Sequence, residues 1–494
     1  MNGERLSALD ATFLEVETRE SPMGIGAICV FAGGSMVSDD GSFDTARMRA
    51  HIAQAIAQLP RYRQRLAMTP LIGQPVWIDD DRFNLDFHVR YTRLPSPGDE
   101  RQLRRLAARL FSQQIDRDHP LWELYCVEGL TDQRFAIIAK VHHCMADGAG
   151  GVGLLSALLQ PAASVALPMA QPAWQPRLVP SRGDLIWAEV KHRNGRTWDF
   201  VCAATAGGGQ RKPRDPAQAG NPGPTTPSAN TLGKSPARAV ANGMYDILRA
   251  GLQRRTQTPL TPPSIGGARR FDTAQISLDD VRCIAHSLGG TVNDVVLTLV
   301  AGVLRSFLMQ RGLDPAAIGA LRAMIPVNLR THGGSGGGGG GGGNQLAMLL
   351  TELPIHQAEP SRRHQLVRAA TERLKHQSDQ IAASAFFTAV ADAAATSMLS
   401  KVFHLAVRLR AFDVVVTNVR GPREALFLGD AEMTALYPMV PLYERQAIGV
   451  AVFGYAGVLH VGLSAAWDLV PDLHDVALEF EREMASLRTA AAMP

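Results

Sequence analysis

Eleven prolines punctuate one stretch of this chain: Pro161, Pro168, Pro172, Pro176, Pro180, Pro213, Pro216, Pro222, Pro224, Pro227 and Pro236, with Gly207 to Gly209 among them. Proline has no backbone N–H to donate, so this spacing excludes a continuous helix or a central strand. A shorter break, TPLTPPSIGG, spans Thr258 to Gly267. The chain therefore divides into an N-terminal part over residues 1–160, a Pro/Gly-rich connector over 161–268 with one helix from Ala237 to Leu252, and a C-terminal part over 269–494. Ten glycines between Gly333 and Gly343, interrupted by Ser335 alone, make a further break. They carry no side chain to bury and are read as a surface loop, since the Lys-Ser/Thr of a nucleotide-binding loop does not follow.

The two flanking parts share one grammar. In the first, Met48, Ile52, Ala55, Ile56 and Leu59 fall at helical spacing, as do Leu103, Leu106, Ala107, Leu110 and Phe111. Ile25 to Phe31, Leu121 to Val127 and Phe135 to Val141 read as strands, the last nearly all apolar as a strand covered on both faces should be. In the second, helices are expected at Asp279 to Leu288, Asn293 to Met309, Ser361 to Gln377, Ala383 to Arg410 and Leu473 to Leu487. Strands are expected at Ala323 to Pro326, Leu346 to Leu353, Asp413 to Thr417, Ile448 to Val452 and Val458 to Ala465. Two mixed α/β halves joined by a polar connector leave a cleft between them, a default place for a ligand.

Composition narrows the function class. Apolar residues at 46% and charged residues at 19% suit packed cores, and a net charge of +4 makes no demand for a nucleic-acid partner. Five scattered cysteines without a CxxC pair argue against a disulfide framework and fit a reducing cytoplasm. The opening MNGERLSALDATF lacks the basic-then-apolar pattern of a signal peptide. No window reads as a charge-free span, the nearest being Ile381 to Leu399 with Asp392 inside it, so membrane contact is expected to be peripheral.

The chemistry-bearing segment is Lys140-Val-His-His-Cys-Met-Ala-Asp-Gly-Ala-Gly150. Neighbouring residues at a strand end point to opposite faces, so His142 and His143 cannot share one task. Imidazole offers a lone pair at neutral pH and suits a general base once its other nitrogen is held in one tautomer. Asp147 could order that loop, and Gly148, Gly150 and Gly151 permit a tight strand-to-helix turn. A structural histidine pair reads equally well from the residues alone. A zinc site is disfavoured by the absence of HExxH spacing, Cys144 is a weak candidate nucleophile, and no GxSxG elbow occurs here.

His142-His143-Cys144-Met145-Ala146-Asp147-Gly148 resembles the HHxxxDG signature of the bacterial wax ester synthase/acyl-CoA:diacylglycerol acyltransferase family. That family is related in fold to chloramphenicol acetyltransferase and to peptide-synthetase condensation domains. Leu6 to Asp10 with Phe13-Leu14, Pro22-Met23, Pro120-Leu121-Trp122, Arg269-Arg270-Phe271, Asn293-Asp294, Pro326 to Arg330 and Asn418-Val419-Arg420-Gly421-Pro422 resemble its other landmarks. The resemblance covers residues 6 to about 485. Gly24, Arg420 where proline is usual, and the glycine tract depart from it.

The resemblance implies an α/β protein of two chloramphenicol acetyltransferase-like mixed-sheet domains with an active-site tunnel between them. It implies transfer of a long-chain acyl group from acyl-CoA to diacylglycerol or a long-chain fatty alcohol, with acyl-CoA as co-substrate and no permanently bound cofactor or metal. His143 would be the general base, Asp147 mainly structural, and Asn293 a polar partner near the reacting centre. His142 and Gly148 would support the site. Pro120, Leu121, Trp122, Asn418, Gly421 and Pro422 would shape the substrate pocket, and Arg269 and Arg270 could meet the CoA phosphates. For Asn293 a helix-cap role is equally natural from sequence. A cytoplasmic protein on the inner membrane or on lipid inclusions is expected, with Ala383 to Arg410, bearing Phe386, Phe387, Phe403, Arg408 and Arg410, as a candidate docking helix. Oligomeric state is left open, a homodimer included. A CoA-dependent acyltransferase or condensation enzyme for an amine or a smaller alcohol, and a non-catalytic lipid-binding protein, are the other readings.

Overall fold

The computed structural model describes residues 4–38, 40–70, 75–145, 153–166, 174–191, 257–328, 346–380, 405 and 407–492. The glycine tract, the expected helix from Ala237 to Leu252, Asp147, Gly148 and most of the Ala383 to Arg410 segment lie outside the described residues.

The first half runs β1 (Glu4–Arg5), α1 (Ala8–Val16), β2 (Gly24–Phe31), α2 (Thr45–Ala57), β3 (Gln64–Met68), β4 (Pro75–Asp79), β5 (Val89–Arg93), α3 (Glu100–Phe111), β6 (Trp122–Glu128), β7 (Phe135–His142) and α4 (Gly153–Leu158). The second runs β8 (Arg269–Ser277), α5 (Leu278–Leu288), α6 (Val292–Gln310), β9 (Leu321–Asn328), β10 (Leu346–Leu353), α7 (Pro360–Gln380), β11 (Val414–Arg420), β12 (Phe427–Leu428), β13 (Ala431–Met439), β14 (Ile448–Tyr455), β15 (Val458–Ala466) and α8 (Leu473–Ala490).

Two six-stranded mixed sheets organise most of these elements, and β1, β4 and β3 form a smaller antiparallel sheet beside them. The first has the order β12-β13-β2-β7-β6-β5 and the second β10-β9-β11-β14-β15-β8. β7 lies centrally, Gly24 facing His142 on one side and Trp122 facing Val141 on the other. All eight of its residues are buried, which its unbroken apolar run anticipates. In the second sheet β9, β11 and β14 run parallel, which makes β11 an inner strand with its carboxyl end at Arg420.

The chain-wise division by composition is not the division of the sheets. β12 and β13 come from the second half yet complete the first sheet, Met433 to Met439 pairing antiparallel with Phe31 to Gly26 around a bulge. The core beneath that sheet is shared accordingly, Met324, Phe412, Val415, Phe453 and Tyr455 packing with Phe13, Met23 and Val141.

The other core is built around α6. Its first turn is fixed by a capping box in which Thr291 and Asp294 satisfy each other's backbone N–H groups. Apolar residues then cover nearly every face, so the helix must be enclosed. By length and composition it could cross a membrane, but 72% of its most apolar window is buried inside the protein, against α5, α7 and α8. Gly302 leaves room beside α6 for an ion pair between Arg363 of α7 and Glu483 of α8, which ties three helices together.

Candidate active site

β7 ends at His142, and His143 opens a short 3-10 turn reaching Met145. Two backbone bonds hold this corner, His142 N–H donating to the Leu121 carbonyl at 2.9 Å and His143 N–H to the Met23 carbonyl at 2.9 Å. The two rings part as strand alternation requires. His142 has no exposed surface, whereas His143 is only half-buried.

His142 is bound into a polar cluster under the turn. Its Nδ1 accepts the Cys144 backbone N–H at 3.2 Å, and its Nε2 lies 3.5 Å from Glu17 Oε2. Glu17 also accepts the Met23 N–H at 2.9 Å and the Arg117 guanidinium at 2.7 Å. Burial alone would raise the Glu17 carboxyl, but His142, the Met23 amide and Arg117 outweigh it and hold the group down at about 2. The cluster thus fixes α1, the start of β2 and the histidine turn relative to one another.

The His143 ring stacks on Phe13 of α1, centroids 3.7 Å apart and planes 18° from parallel. Burial pushes its imidazole down to about 4, the neighbouring His142 ring acts in the same direction, and its own backbone opposes them. His143 is therefore neutral at pH 7, its Nδ1 buried without a hydrogen-bond partner. The adjacent Cys144 thiol is driven well up by burial, which leaves it protonated and unsuited to nucleophilic attack. Among the described residues no group of three or more His, Cys, Asp or Glu side chains is placed to hold a metal ion.

A second cluster lies at the carboxyl end of β11. Asn418 Nδ2 donates to Asn293 Oδ1 at 3.4 Å, joining β11 to the first turn of α6. Both asparagines line a cavity of about 810 Å³, together with Gly421, Pro422, Ile325 and Tyr455. Because Thr291 caps α6, Asn293 is not the helix cap, and its side chain belongs to the cavity instead. Gly421 has no room for a Cβ, which would fall on the Gly454 carbonyl oxygen and the Phe453 ring. Beneath, Asp294 accepts Thr371 Oγ1 at 2.6 Å, and the Thr298 hydroxyl meets His364 Nδ1 at 3.1 Å.

The remaining sequence-derived candidates are placed differently. Pro120, Leu121 and Trp122 are buried, the indole donating to the Tyr62 carbonyl at 2.8 Å and stacking on His88, and none of them is among the described residues lining the asparagine cavity. Arg269 is buried too, its donors spent on the carbonyls of Gly266, Ala268 and Glu20. Burial lowers its guanidinium to about 10, and its 6% exposure leaves little surface for a CoA phosphate to reach. Arg270 lies over the Trp467 ring at 3.8 Å and donates to the Trp467 carbonyl. His143 is not among the described residues lining the asparagine cavity. Phe13 belongs to a quoted landmark, but Glu17 and Arg117 were missed, since nothing in local periodicity marks a carboxylate and an arginine 100 positions apart as partners.

Comparison with known proteins gives the following. Residues 6–296 match the family described as wax ester synthase/diacylglycerol acyltransferase catalytic domain, and residues 342–488 match its C-terminal domain. A protein of Mycobacterium tuberculosis named as a probable diacylglycerol O-acyltransferase is 30% identical over 98% of this chain and 95% of its own. A second of the same name and species is 29% identical, with 98% of each chain covered. Among solved structures, a wax ester synthase/diacylglycerol acyltransferase from Marinobacter aquaeolei VT8 superposes with a TM-score of 0.65 at 23% identity, over 99% of this chain and 100% of its own. The first condensation domain of the calcium-dependent antibiotic synthetase superposes with a TM-score of 0.58 at 14% identity, over 100% and 98%. At these identities the two structures show a shared fold.

Proposed function

The chain belongs to the wax ester synthase/diacylglycerol acyltransferase family, and on that footing we propose how it carries a long-chain acyl group from acyl-CoA to the hydroxyl of diacylglycerol or a fatty alcohol. His143 is the general base. As the hydroxyl oxygen attacks the thioester carbonyl carbon, the neutral imidazole takes the hydroxyl proton. Assistance of this kind contributes about 10²–10⁴-fold. The tetrahedral intermediate then collapses, the C–S bond breaks, and the imidazolium returns its proton to the departing sulfur. A ring with a pKa of about 4 is a weak base at rest but a strong acid once protonated. Proton delivery to a thiolate, whose conjugate acid ordinarily titrates near about 8.5, runs downhill. Asn293 is a donor candidate for the oxyanion, its amide NH₂ having no partner among the described residues. Asp147 is mainly structural in this reading, with Gly148 allowing the turn.

What supports the reading above all is the catalytic-domain match over residues 6–296, which takes in both His143 and Asn293. Direct transfer suits a site whose only adjacent thiol is held protonated. Each buried methylene contributes about 0.8 kcal/mol, so an apolar passage binds long chains well while discriminating little per carbon. Acceptor and product both partition into lipid, which supports a working position at a membrane surface or on lipid inclusions.

The test is thiol release from palmitoyl-CoA with diacylglycerol and hexadecanol supplied separately, comparing the intact protein with His143→Ala. Acceptor-dependent release that collapses in the variant is expected. Equal turnover in the variant would remove His143 from the mechanism.

A further inference from the structure

The asparagine cavity carries a set of charges that neither the packing nor the proposed proton transfers use. Arg420 and Arg423 flank Gly421-Pro422 at its lining, are exposed, and have no carboxylate partner among the described residues. Arg282 of α5 reaches the same lining, engaged by Asp279 at 2.9 Å in an exposed pair worth little in water. Asp279 is the only acid among the described lining residues. Two helices of 11 and 19 residues, α5 and α6, also begin here, adding the partial positive charge of their first turns. Deeper in, Ile325 and Leu459 are apolar and buried. A cationic rim over an apolar interior suits a ligand with a polyanionic head and a long apolar tail.

We propose that Arg282, Arg420 and Arg423 bind the phosphates of the acyl-CoA nucleotide, which leads the pantetheine arm inward past Asn418 and Asn293. The proposal rests on the acyltransferase reading and takes the phosphate contact away from the buried Arg269. Guanidinium groups meet phosphate through paired, charge-assisted hydrogen bonds, so a rim of three fixes the head without contacting the reacting atoms.

The experiment uses the full chain and the Arg420→Ala/Arg423→Ala double variant. Titration calorimetry with coenzyme A and with adenosine 3′,5′-diphosphate gives the affinities. Steady-state kinetics compare palmitoyl-CoA with palmitoyl-pantetheine, a donor lacking the nucleotide. Affinity for both nucleotides should weaken by about tenfold or more, since one charge-assisted contact of about 1.4 kcal/mol corresponds to tenfold. KM for palmitoyl-CoA should rise correspondingly while kcat and the constants for the truncated donor stay nearly the same. Lysines at both positions should restore part of the affinity, which a merely structural role would not predict. Unchanged affinity for coenzyme A would overturn the proposal, as would an equal rise in KM for the truncated donor. Lost binding to phosphatidylglycerol vesicles with coenzyme A affinity intact would also overturn it. Arginine-dependent nucleotide binding without acyl transfer by the intact protein would sustain this site and defeat the acyltransferase reading.

Discussion

Glu17→Gln isolates the charge that holds the histidine corner together. The native carboxyl titrates at about 2, against 4.5 for the unperturbed group. A depressed carboxyl stabilises the folded state above the unfolded pKa, and the contribution disappears as pH falls through the folded one. At pH 7 the 2.5-unit difference corresponds to about 3 kcal/mol, decreasing to about 2 kcal/mol near pH 3.5. The side chain is 1% exposed, so solvent screening takes little from that figure. Glutamine preserves the shape and one acceptor for Met23 but has no charge for Arg117. Urea unfolding of both proteins, followed by tryptophan fluorescence from pH 7 to pH 3.5, reads the difference directly. Titrating groups out of reach of Glu17 are common to the pair and cancel in the difference. The two unfolding curves should lie farthest apart at neutral pH and converge in acid. A separation that stays constant across the range would refute the electrostatic account and leave packing as the cause.

The acid limb of kcat/KM should turn down near pH 4, the His143 value, because the neutral base persists until then; a limb near 6.5 in the pH–rate profile would contradict the buried, stacked environment. Arg363→Met should cost about 3–5 kcal/mol in chemical denaturation, since Glu483, already raised by burial, loses its partner; adding Glu483→Leu should recover much of it. Gly421→Ala should destabilise by about 1–3 kcal/mol and weaken substrate binding, because β11 must shift from Gly454 and Phe453 and carries Asn418 with it; unchanged stability and KM would show that the corner has slack.

Most helices and central strands were legible because their burial is periodic or complete. β7, β10, β14 and α6 follow directly from apolar runs and their caps. β8 and β13 were not legible. β8 mixes charged and apolar residues along one edge, and β13 carries Glu432, Thr434 and Pro438 in a pattern that reads as loop until a partner strand is known. The same limit governs the site. The histidine pair declares itself because both residues are adjacent in sequence. Glu17 and Arg117, or Asn293 and Asn418, become neighbours only through long-range closure. Arg269 shows the converse error, since a charged residue beside a second arginine looks solvent-facing until the carbonyls around it are seen.

The loan of β13 to the first sheet makes the halves hard to part. A protease nick between residues 167 and 256 would sever the covalent link but leave β13 clamped along β2, so the fragments should co-elute under native conditions. Expression of the leading fragment alone would bare the β2 flank, a row of unsatisfied amides and carbonyls that invites self-association. Complementation from two separately encoded pieces is therefore a matter of supplying β13, with β12 at its edge, in time.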